Sequence, residues 1–211
     1  MGKDKVDLRV LKTKKSIKSA FITLVPKKGY ERITVQDIAD EAMINRNTFY
    51  LHYEDKHDLM EKLCRDSMEK LNVCLSLNTL DIYTINKEML TSILDNIFQI
   101  IEYDLDFFKV MLDLNSQPSF TFYLTEVLKN YILNALRDQY QEKDMKVGLE
   151  YIVSGLVGII CLWIRESNDL NHKAIVEQLS NIHFYNIQEV FFKENTGRNN
   201  EEMVIAPSSR Q

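Results

Sequence analysis

The stretch Thr34–Lys56, TVQDIADEAMINRNTFYLHYEDK, decides how the N-terminal part of this chain folds. Thr34 followed three residues later by Asp37 has the spacing of a helix start, in which the hydroxyl accepts from an early amide and the carboxylate lies at the positive helix end. The apolar residues that follow recur at intervals of three and four, so one helix face packs inward: Val35, Ile38, Ala39 and Ala42.

A second short helix begins almost at once. Asn45 is a favourable N-cap, and only Met43 and Ile44 separate it from the first helix, so the two helices must cross at a steep angle. Asp55 then caps a longer third helix. In the second helix we expect Ile44, Thr48, Phe49 and Leu51 to face the core, which leaves other side chains free to point elsewhere: Arg46, Asn47, Tyr50 and His52.

This helix-turn-helix pattern closely resembles the DNA-binding region of the TetR family of bacterial transcriptional regulators. The resemblance covers roughly the first quarter to third of the chain. It rests on the following residues: Gly29-Tyr30, Thr34, Ile38-Ala39, Ala42, Thr48-Phe49-Tyr50, His52-Tyr53 and Lys56.

The resemblance implies roles for individual side chains. Residues at base-contacting positions are Gln36, Arg46, Asn47 and Thr48. Residues at phosphate-contacting positions are Thr34, Tyr50, His52, Tyr53 and Lys56, with Tyr53 equally suited to the core. The chemistry agrees, because Arg pairs bidentately with guanine and Asn with adenine, whereas Tyr, His and Lys donate to phosphates without reading sequence.

Met43 departs from the family pattern, in which many members carry Gly in the turn. A side chain with a Cβ disfavours a positive φ. We therefore expect a turn that is either wound differently or slightly strained.

The charge distribution fits a DNA-binding head on a separate body. The whole chain carries −5, which alone argues against a nucleic-acid binder. Residues 1–56, however, hold 12 Lys and Arg against 8 Asp and Glu, a net of +4, so the remainder holds 14 against 23, a net of −9. A basic module on an acidic body is what a DNA-binding regulator requires.

A further helix, predicted to precede Thr34 in the chain, carries a run of lysines. Lys14, Lys15 and Lys18 could neutralise phosphates beside the reading site, although such runs are more often a solvated helix face. We expect Pro26 to end or kink this helix near Val25.

The remaining chain predicts an all-α fold, because Gly and Pro are scarce and no strand alternation is visible. Three helices lie before residue 55: the lysine-rich helix and the two that begin near Thr34 and Asn45. Six further predicted segments bring the number to nine: 55–75, 84–103, 104–114, 118–142, 144–166 and 171–194. We therefore expect a DNA-binding domain over 1–56, a helical effector-binding and dimerisation domain over 57–194, and a disordered tail over 195–211.

The segment Ile152–Ile164, IVSGLVGIICLWI, is too short to span a bilayer and predicts a fully buried helix. Small residues on it would let another helix approach closely. In the TetR family the last two long helices pair with their copies in a second subunit, although an intrachain core would need the same composition. The resemblance implies a homodimer interface that includes Ser154, Gly155, Gly158, Cys161, Leu179, Ile182 and Val190.

Aromatic residues between these regions could line an effector pocket, as TetR-like proteins often have one. The candidates are Phe98, Tyr103, Phe107, Phe108 and Tyr123, for which a plain core is the alternative. The effector could be a small molecule or a protein. The pattern from Ser154 to Trp163 also resembles regulators associated with dihydroxyacetone kinase genes, too weakly to assign an effector.

Enzyme motifs, cofactor motifs and metal-ligand spacings are not visible, so we expect neither catalysis nor a bound cofactor or metal. The three cysteines, Cys64, Cys74 and Cys161, are odd in number and predict reduced thiols of a cytoplasmic protein, although a redox switch stays open. A signal peptide and a transmembrane helix are not evident, which predicts a location at the chromosome.

These features predict a dimeric DNA-binding transcriptional regulator, most simply a repressor that an effector releases from a palindromic operator. The alternative is a DNA-associated interaction protein, which uses the same head to occupy chromosomal sites while its acidic body recruits a protein partner.

Overall fold

A computed structural model describes residues 8–77, 84–114, 120–136 and 142–192, without the side chains of 136, 142–145 and 188–192. Within these ranges the chain is helical and has no strand. The elements are α1 Leu8–Lys28, a 3₁₀ turn Tyr30–Arg32, α2 Val35–Glu41, α3 Arg46–Tyr50, α4 Lys56–Leu77, α5 Lys87–Tyr103, α6 Leu105–Asp113, α7 Phe120–Leu136, α8 Glu142–Arg165 and α9 His172–Phe192.

The all-α prediction is confirmed, and the predicted helix ends agree with the described ones within three residues, apart from the end of α7. The predicted end of that helix, residue 142, is instead the first residue of α8. The segment 137–141 between α7 and α8 lies outside the described residues, as does the tail 195–211. Pro26 was predicted to end or kink α1 near Val25, and the helix does not end there but continues to Lys28. Proline removes one donor only, and the amide of Gly29 still reaches the carbonyl of Val25 at 2.9 Å, so the last turn closes.

The described chain forms two compact units that do not follow its order. Unit 1 comprises residues 1–70 and 104–123, and unit 2 comprises 71–103 and 124–211. The N-terminal domain expected to end at residue 56 therefore sits in a unit that also includes most of α4, all of α6 and the start of α7. Sequence order alone does not reveal this, because α6 joins unit 1 through contacts made across more than 80 residues.

Unit 1 is built around buried aromatic and aliphatic side chains from all its helices: Ile17, Phe21, Ile38, Phe49, Leu59, Phe107, Phe108 and Phe120. Lys18 of α1 forms an ion pair with Asp104, just before α6, and its ammonium lies 4.3 Å from the centre of the Phe107 ring. Lys18 thus holds α1 against α6. It is not available to neutralise DNA phosphates, contrary to the sequence-based expectation.

Unit 2 is organised by contacts of α9 with α5 and α8. Ser180 is fully buried, accepts from Thr91 of α5 at 2.9 Å and donates to the carbonyl of Val176 at 2.6 Å. Trp163 of α8 packs on Phe98 with ring centres 5.0 Å apart, and its indole N–H donates to the carbonyl of Leu170 at 3.2 Å. The Ser180 hydroxyl and the Trp163 indole N–H therefore both have hydrogen-bond partners, as buried polar groups generally do.

The helix α8 is only half buried, so the prediction of a fully buried helix was wrong. The stretch Lys146–Arg165 is long and apolar enough to cross a membrane by length and composition, and 50% of its apolar window is buried inside the structure. One face carries buried residues such as Val153, Ile160 and Ile164. The exposed residues of this helix include the large apolar side chains of Val147, Tyr151 and Leu162.

A buried histidine in unit 2 predicts acid sensitivity. His183 is 6% exposed, neither ring nitrogen has a hydrogen-bond partner among the described residues, and burial lowers its pKa below 6.5. The unfolded chain therefore binds more protons below about pH 6.5, and the free energy of unfolding should fall there by up to about 1.4 kcal/mol per pH unit. Above that pH this group leaves stability unchanged.

Urea unfolding at pH 7.5 and 5.5, at one protein concentration, measures this effect in wild type and His183→Leu. Wild type should lose more stability on acidification than the variant, since all other titrating groups are shared. Equal losses in the two proteins would show that His183 protonates without penalty.

Candidate nucleic-acid interface

The start of α2 has the predicted capping box. The hydroxyl of Thr34 accepts from the amide of Asp37 at 3.1 Å, and the Asp37 carboxylate accepts from the amide and the hydroxyl of Thr34 at 2.9 and 2.8 Å. These reciprocal bonds satisfy donors that the helix itself leaves open.

A third donor, Lys28 at the end of α1, was not foreseen from the sequence. Its ammonium lies 2.7 Å from the Asp37 carboxylate, and the bonds from Lys28 and Thr34 lower the Asp37 pKa to about 2. In the chain without DNA, the amide and the hydroxyl of Thr34 thus both donate to Asp37. A DNA phosphate at Thr34 would have to share these two donors with the Asp37 carboxylate.

The turn between α2 and α3 is left-handed at Met43, with φ +54°. The amide of Ile44 donates to the carbonyl of Ala39 at 3.0 Å and that of Met43 to Asp40 at 3.1 Å, the pair of bonds of a Schellman motif. The turn therefore has the conformation that it would have with glycine. Because Met43 has a Cβ, this conformation costs about 1 to 2 kcal/mol of strain. The Met43 side chain is 91% exposed and packs little in return.

The helix α3 is only five residues long, and two features fix it in place. The side chain of Asn45 accepts from the amide of Asn47 at 2.8 Å, as predicted. Phe49 is fully buried, with its ring 5.6 Å from that of Tyr53 and 5.7 Å from that of Tyr50. One cap and one anchor therefore suffice to orient its outer face. Leu51 was wrongly expected in the core and is 80% exposed.

The predicted base-contacting residues lie on the exposed side of α2 and α3. Arg46 and Asn47 are exposed in the first turn of α3, and Thr48 is half-buried. The guanidinium of Arg46 donates to the Tyr50 hydroxyl at 3.0 Å and lies 5.5 Å from its ring centre, which restricts its rotamers. Gln36 is exposed on α2 and donates to Asp40 at 2.7 Å.

The predicted phosphate-contacting residues divide into two groups. Tyr50 is 44% exposed and His52 half-buried, so both can reach an external anion. Tyr53 is 4% exposed, and burial together with Asp66 and Asp58 raises the pKa of its phenol to about 12. Of the two readings of Tyr53, the structure favours the core, and we withdraw it as a phosphate contact.

Lys56 also differs from the prediction, because its ammonium points into the protein. It donates to the carbonyls of Tyr30, Glu31 and Ile33 at 2.9, 3.0 and 3.2 Å and lies 4.9 Å from the Tyr30 ring centre. An ammonium has three N–H donors, and all three are used. Lys56 therefore ties the 3₁₀ turn to the start of α4, and we replace its assignment as a phosphate contact by a positioning role.

The five candidate effector-pocket residues are divided between the two units, and none of them lines either of the two described cavities. Phe107 and Phe108 are buried in the core of unit 1. In unit 2, Phe98 is fully buried and Tyr103 is 92% exposed. Tyr123 is half-buried in unit 1. Two described cavities have other linings: one in unit 1, and a groove of about 590 Å³ between α5 and α9.

The candidate dimer residues are also divided. Ser154, Gly155, Gly158 and Ile182 are exposed, as an interface requires. Cys161 and Leu179 are 6% and 4% exposed and face the intrachain core, so the prediction was wrong for these two. The side chain of Val190 lies outside the described residues. Exposed apolar residues that the sequence analysis missed are Val147, Tyr151, Leu162 and Tyr185.

The cysteines, by contrast, match the expectation of reduced thiols. Cys64, Cys74 and Cys161 form no disulfide. Burial raises the pKa of the Cys64 thiol to about 11 and also raises that of Cys161. A thiol in this state is a poor nucleophile, which disfavours a redox switch at these two positions.

Comparison with known sequences decides the family. Residues 22–63 match the family described as bacterial regulatory proteins of the tetR family, and residues 88–184 match a transcriptional regulator C-terminal region. The chain belongs to the TetR family of transcriptional regulators. This TetR-family chain is also 33% identical over 78 residues to an uncharacterized HTH-type transcriptional regulator, YxbF, of Bacillus subtilis strain 168. That match covers 35% of the chain and about one fifth of the length of the relative.

Solved structures agree on the fold. A tetR-family transcriptional regulator from Streptomyces coelicolor matches with a TM-score of 0.65 at 14% identity, over 90% of this chain and 89% of that one. The dihydroxyacetone kinase operon activator DhaS matches with a TM-score of 0.60 at 17% identity, over 84% and 97%. At these identities the likeness shows the TetR-family fold alone.

The structure of Lys56 leads to a prediction that separates positioning from phosphate contact. Lys56→Met keeps the aliphatic stem but leaves three carbonyls without their donor, and should lower the free energy of unfolding by about 1 to 2 kcal/mol. The slope of log DNA affinity against log salt should stay as in wild type, because no phosphate contact is lost.

Chemical unfolding and a salt titration of DNA binding test both parts, with Lys70→Met, an exposed change on the same helix, as control. If Lys56→Met keeps full stability and its salt slope falls by about one, Lys56 contacts phosphate.

Proposed function

We propose that this TetR-family regulator binds a palindromic DNA operator as a homodimer and represses transcription until an effector releases it. The observation that carries the proposal is the state of α3, in which Asn45 and Phe49 fix the backbone while Arg46 and Asn47 stand exposed on its first turn. A rigid, capped helix that presents these two side chains suits reading of the major groove.

The side chains supply the chemistry of base recognition. Arg46 offers two parallel N–H donors to the O6 and N7 atoms of guanine, and Asn47 offers a donor and an acceptor to adenine. The bond from Arg46 to the Tyr50 hydroxyl limits the conformations to be ordered on binding. Gln36 and Thr48 would complete the base contacts, and Tyr50, His52 and Thr34 would hold the backbone on either side.

The exposed face of α8 and α9 supports the proposed homodimer. On α8 the exposed residues recur at intervals of three and four, which places them on one face: Val147, Tyr151, Ser154, Gly158 and Leu162. Ile182 and Tyr185 are exposed on α9, 55% and 68%. A contiguous apolar face on two packed helices is expected to be covered by a partner. A second copy would supply it and bring two reading helices to half-sites about 34 to 36 Å apart.

Release by an effector would act through the spacing of the two reading helices. A ligand that binds one conformation of the dimer more tightly shifts the population towards it. If that conformation changes the spacing by a few ångströms, both α3 helices can no longer sit in register. The fold neighbour DhaS is described as an activator, but the likeness carries only the fold, so we base repression on the simplest use of an operator.

The DNA-reading proposal is tested by selecting bound fragments from random DNA with purified protein at two salt concentrations. Wild type should enrich one short palindrome at both. Arg46→Ala should lose the preference at one base pair of each half-site, at a cost of about 1 to 3 kcal/mol, while retaining non-specific affinity. Arg65→Ala, an exposed change on α4, is the matched control and should leave selectivity unchanged.

Enrichment without any shared sequence, together with strong salt dependence, would contradict operator reading. It would instead favour the DNA-associated interaction protein that recruits a partner at chromosomal sites. A selected palindrome that Arg46→Ala still reads like wild type would leave the function intact and remove Arg46 from the base contacts.

The dimer proposal predicts that Tyr151→Glu forms a monomer. Tyr151 is 62% exposed in the single chain, so a carboxylate there costs the fold little, but in an interface it would be buried without a partner. Sedimentation velocity should give one chain mass for this variant and twice that mass for wild type. Tyr103→Glu, at another exposed tyrosine, is the control and should stay dimeric. A wild-type monomer at micromolar concentration would overturn the proposal.

A further inference from the structure

A cavity of about 770 Å³ lies inside unit 1, apart from the reading helices. It opens where the end of α1, the 3₁₀ turn, the first turns of α4 and the end of α6 meet. Four buried apolar side chains form its floor: Val25, Met60, Val110 and Leu114. The volume is in the range of small-molecule sites, and an apolar floor with a few polar groups is their usual lining.

The polar rim of the cavity carries more negative than positive charge. Three carboxylates line it, Glu31, Glu61 and Asp113, and the lining cations are Lys28 and Arg32. The Lys28 ammonium is paired with Asp37, which is not among the lining residues. Counting that pair as neutral, the lining side chains carry three negative charges against one positive. The Lys56 ammonium, bonded to the carbonyls of Tyr30 and Glu31, adds a second positive charge at the wall, so the net charge is −1.

An aromatic pair completes the wall. The Tyr30 hydroxyl and Nδ1 of His57 are 2.8 Å apart, and the two rings meet edge to face at 5.4 Å. The Lys56 ammonium lies over the Tyr30 ring, 4.9 Å from its centre, so this ring already has a cation as its partner. Burial first, and then Glu31, Asp55 and Glu61, raise the pKa of the Tyr30 phenol to about 12, so the phenol keeps its proton.

We propose that this cavity is a binding site for a hydrophobic organic cation, whose apolar body rests on the floor and whose charge faces Glu61, Glu31 and Asp113. A cation is selected over a neutral or anionic molecule of the same shape by the three carboxylates. Because these carboxylates are exposed, the selection is moderate and sensitive to salt.

The site has a direct route to the reading helices. Its wall includes Tyr30 and Glu31, whose carbonyls accept from Lys56, and the same turn leads into Thr34 at the start of α2. A ligand that displaces the turn would therefore disturb the α2 cap. This consequence rests on the proposed function, whereas binding of the cation does not.

The experiment compares two probes of the same size and shape, tetraphenylphosphonium and tetraphenylborate, by isothermal titration calorimetry with the full chain and no DNA. The phosphonium should bind once per chain and at least about tenfold more tightly than the borate. Glu61→Gln and Asp113→Asn should each weaken the phosphonium by about fivefold, and Glu61→Arg by more. Glu69→Gln, an exposed change on α4 outside the cavity, should have no effect.

All four variants alter exposed side chains, and their circular dichroism melting curves should match wild type. The proposal is overturned if the borate binds as tightly as the phosphonium, or if Glu61→Gln and Asp113→Asn bind the phosphonium as Glu69→Gln does. The second outcome would place the probe elsewhere in the protein. Because the titration contains no DNA, its failure would leave operator binding untouched, and failure of the DNA selection would leave this site untouched.

Discussion

The reading surface depends on one ammonium group. The Lys56 ammonium donates to the carbonyls of Tyr30, Glu31 and Ile33, and so joins the turn before α2 to the first turn of α4. Without it these carbonyls would face a partly dry space with nothing to accept from. The residue after this junction is Thr34, so Lys56 positions the start of α2, while Asn45 and Phe49 orient α3. A helix as short as α3 has too few bonds of its own to hold a direction against thermal motion.

The features that the sequence predicted correctly join residues close together in the chain. The caps at Thr34, Asn45 and Asp55 each join groups two or three residues apart, and all three exist as predicted. The inward role of Lys56 joins residues 23 to 26 apart, and that of Lys18 joins residues 86 apart. Neither can be derived from spacing along a chain, so both lysines were assigned to DNA, where a basic residue near a reading helix would ordinarily be placed.

The sequence also does not reveal which side of an apolar helix faces the core. An evenly apolar segment such as Ile152–Ile164 shows that α8 is hydrophobic but not which side faces its own chain. Cys161 and Leu179 turned inwards, while Tyr151 and Tyr185 turned out. The difference is set by where α9 and α5 pack, which only the three-dimensional arrangement supplies. Met43 shows the converse, because the turn geometry prevailed over the local preference of the residue that occupies it.

The interleaving of the two units has a practical consequence for dissecting the protein. The chain passes between them three times, after residues 70, 103 and 123. A fragment that ends after α4 would lack α6, and Lys18 would lose both Asp104 and the Phe107 ring. Exchanging reading heads between relatives at a single junction would therefore cut through one hydrophobic core. A working hybrid would have to carry residues 104–123 along with the head, as two separate insertions into the recipient chain.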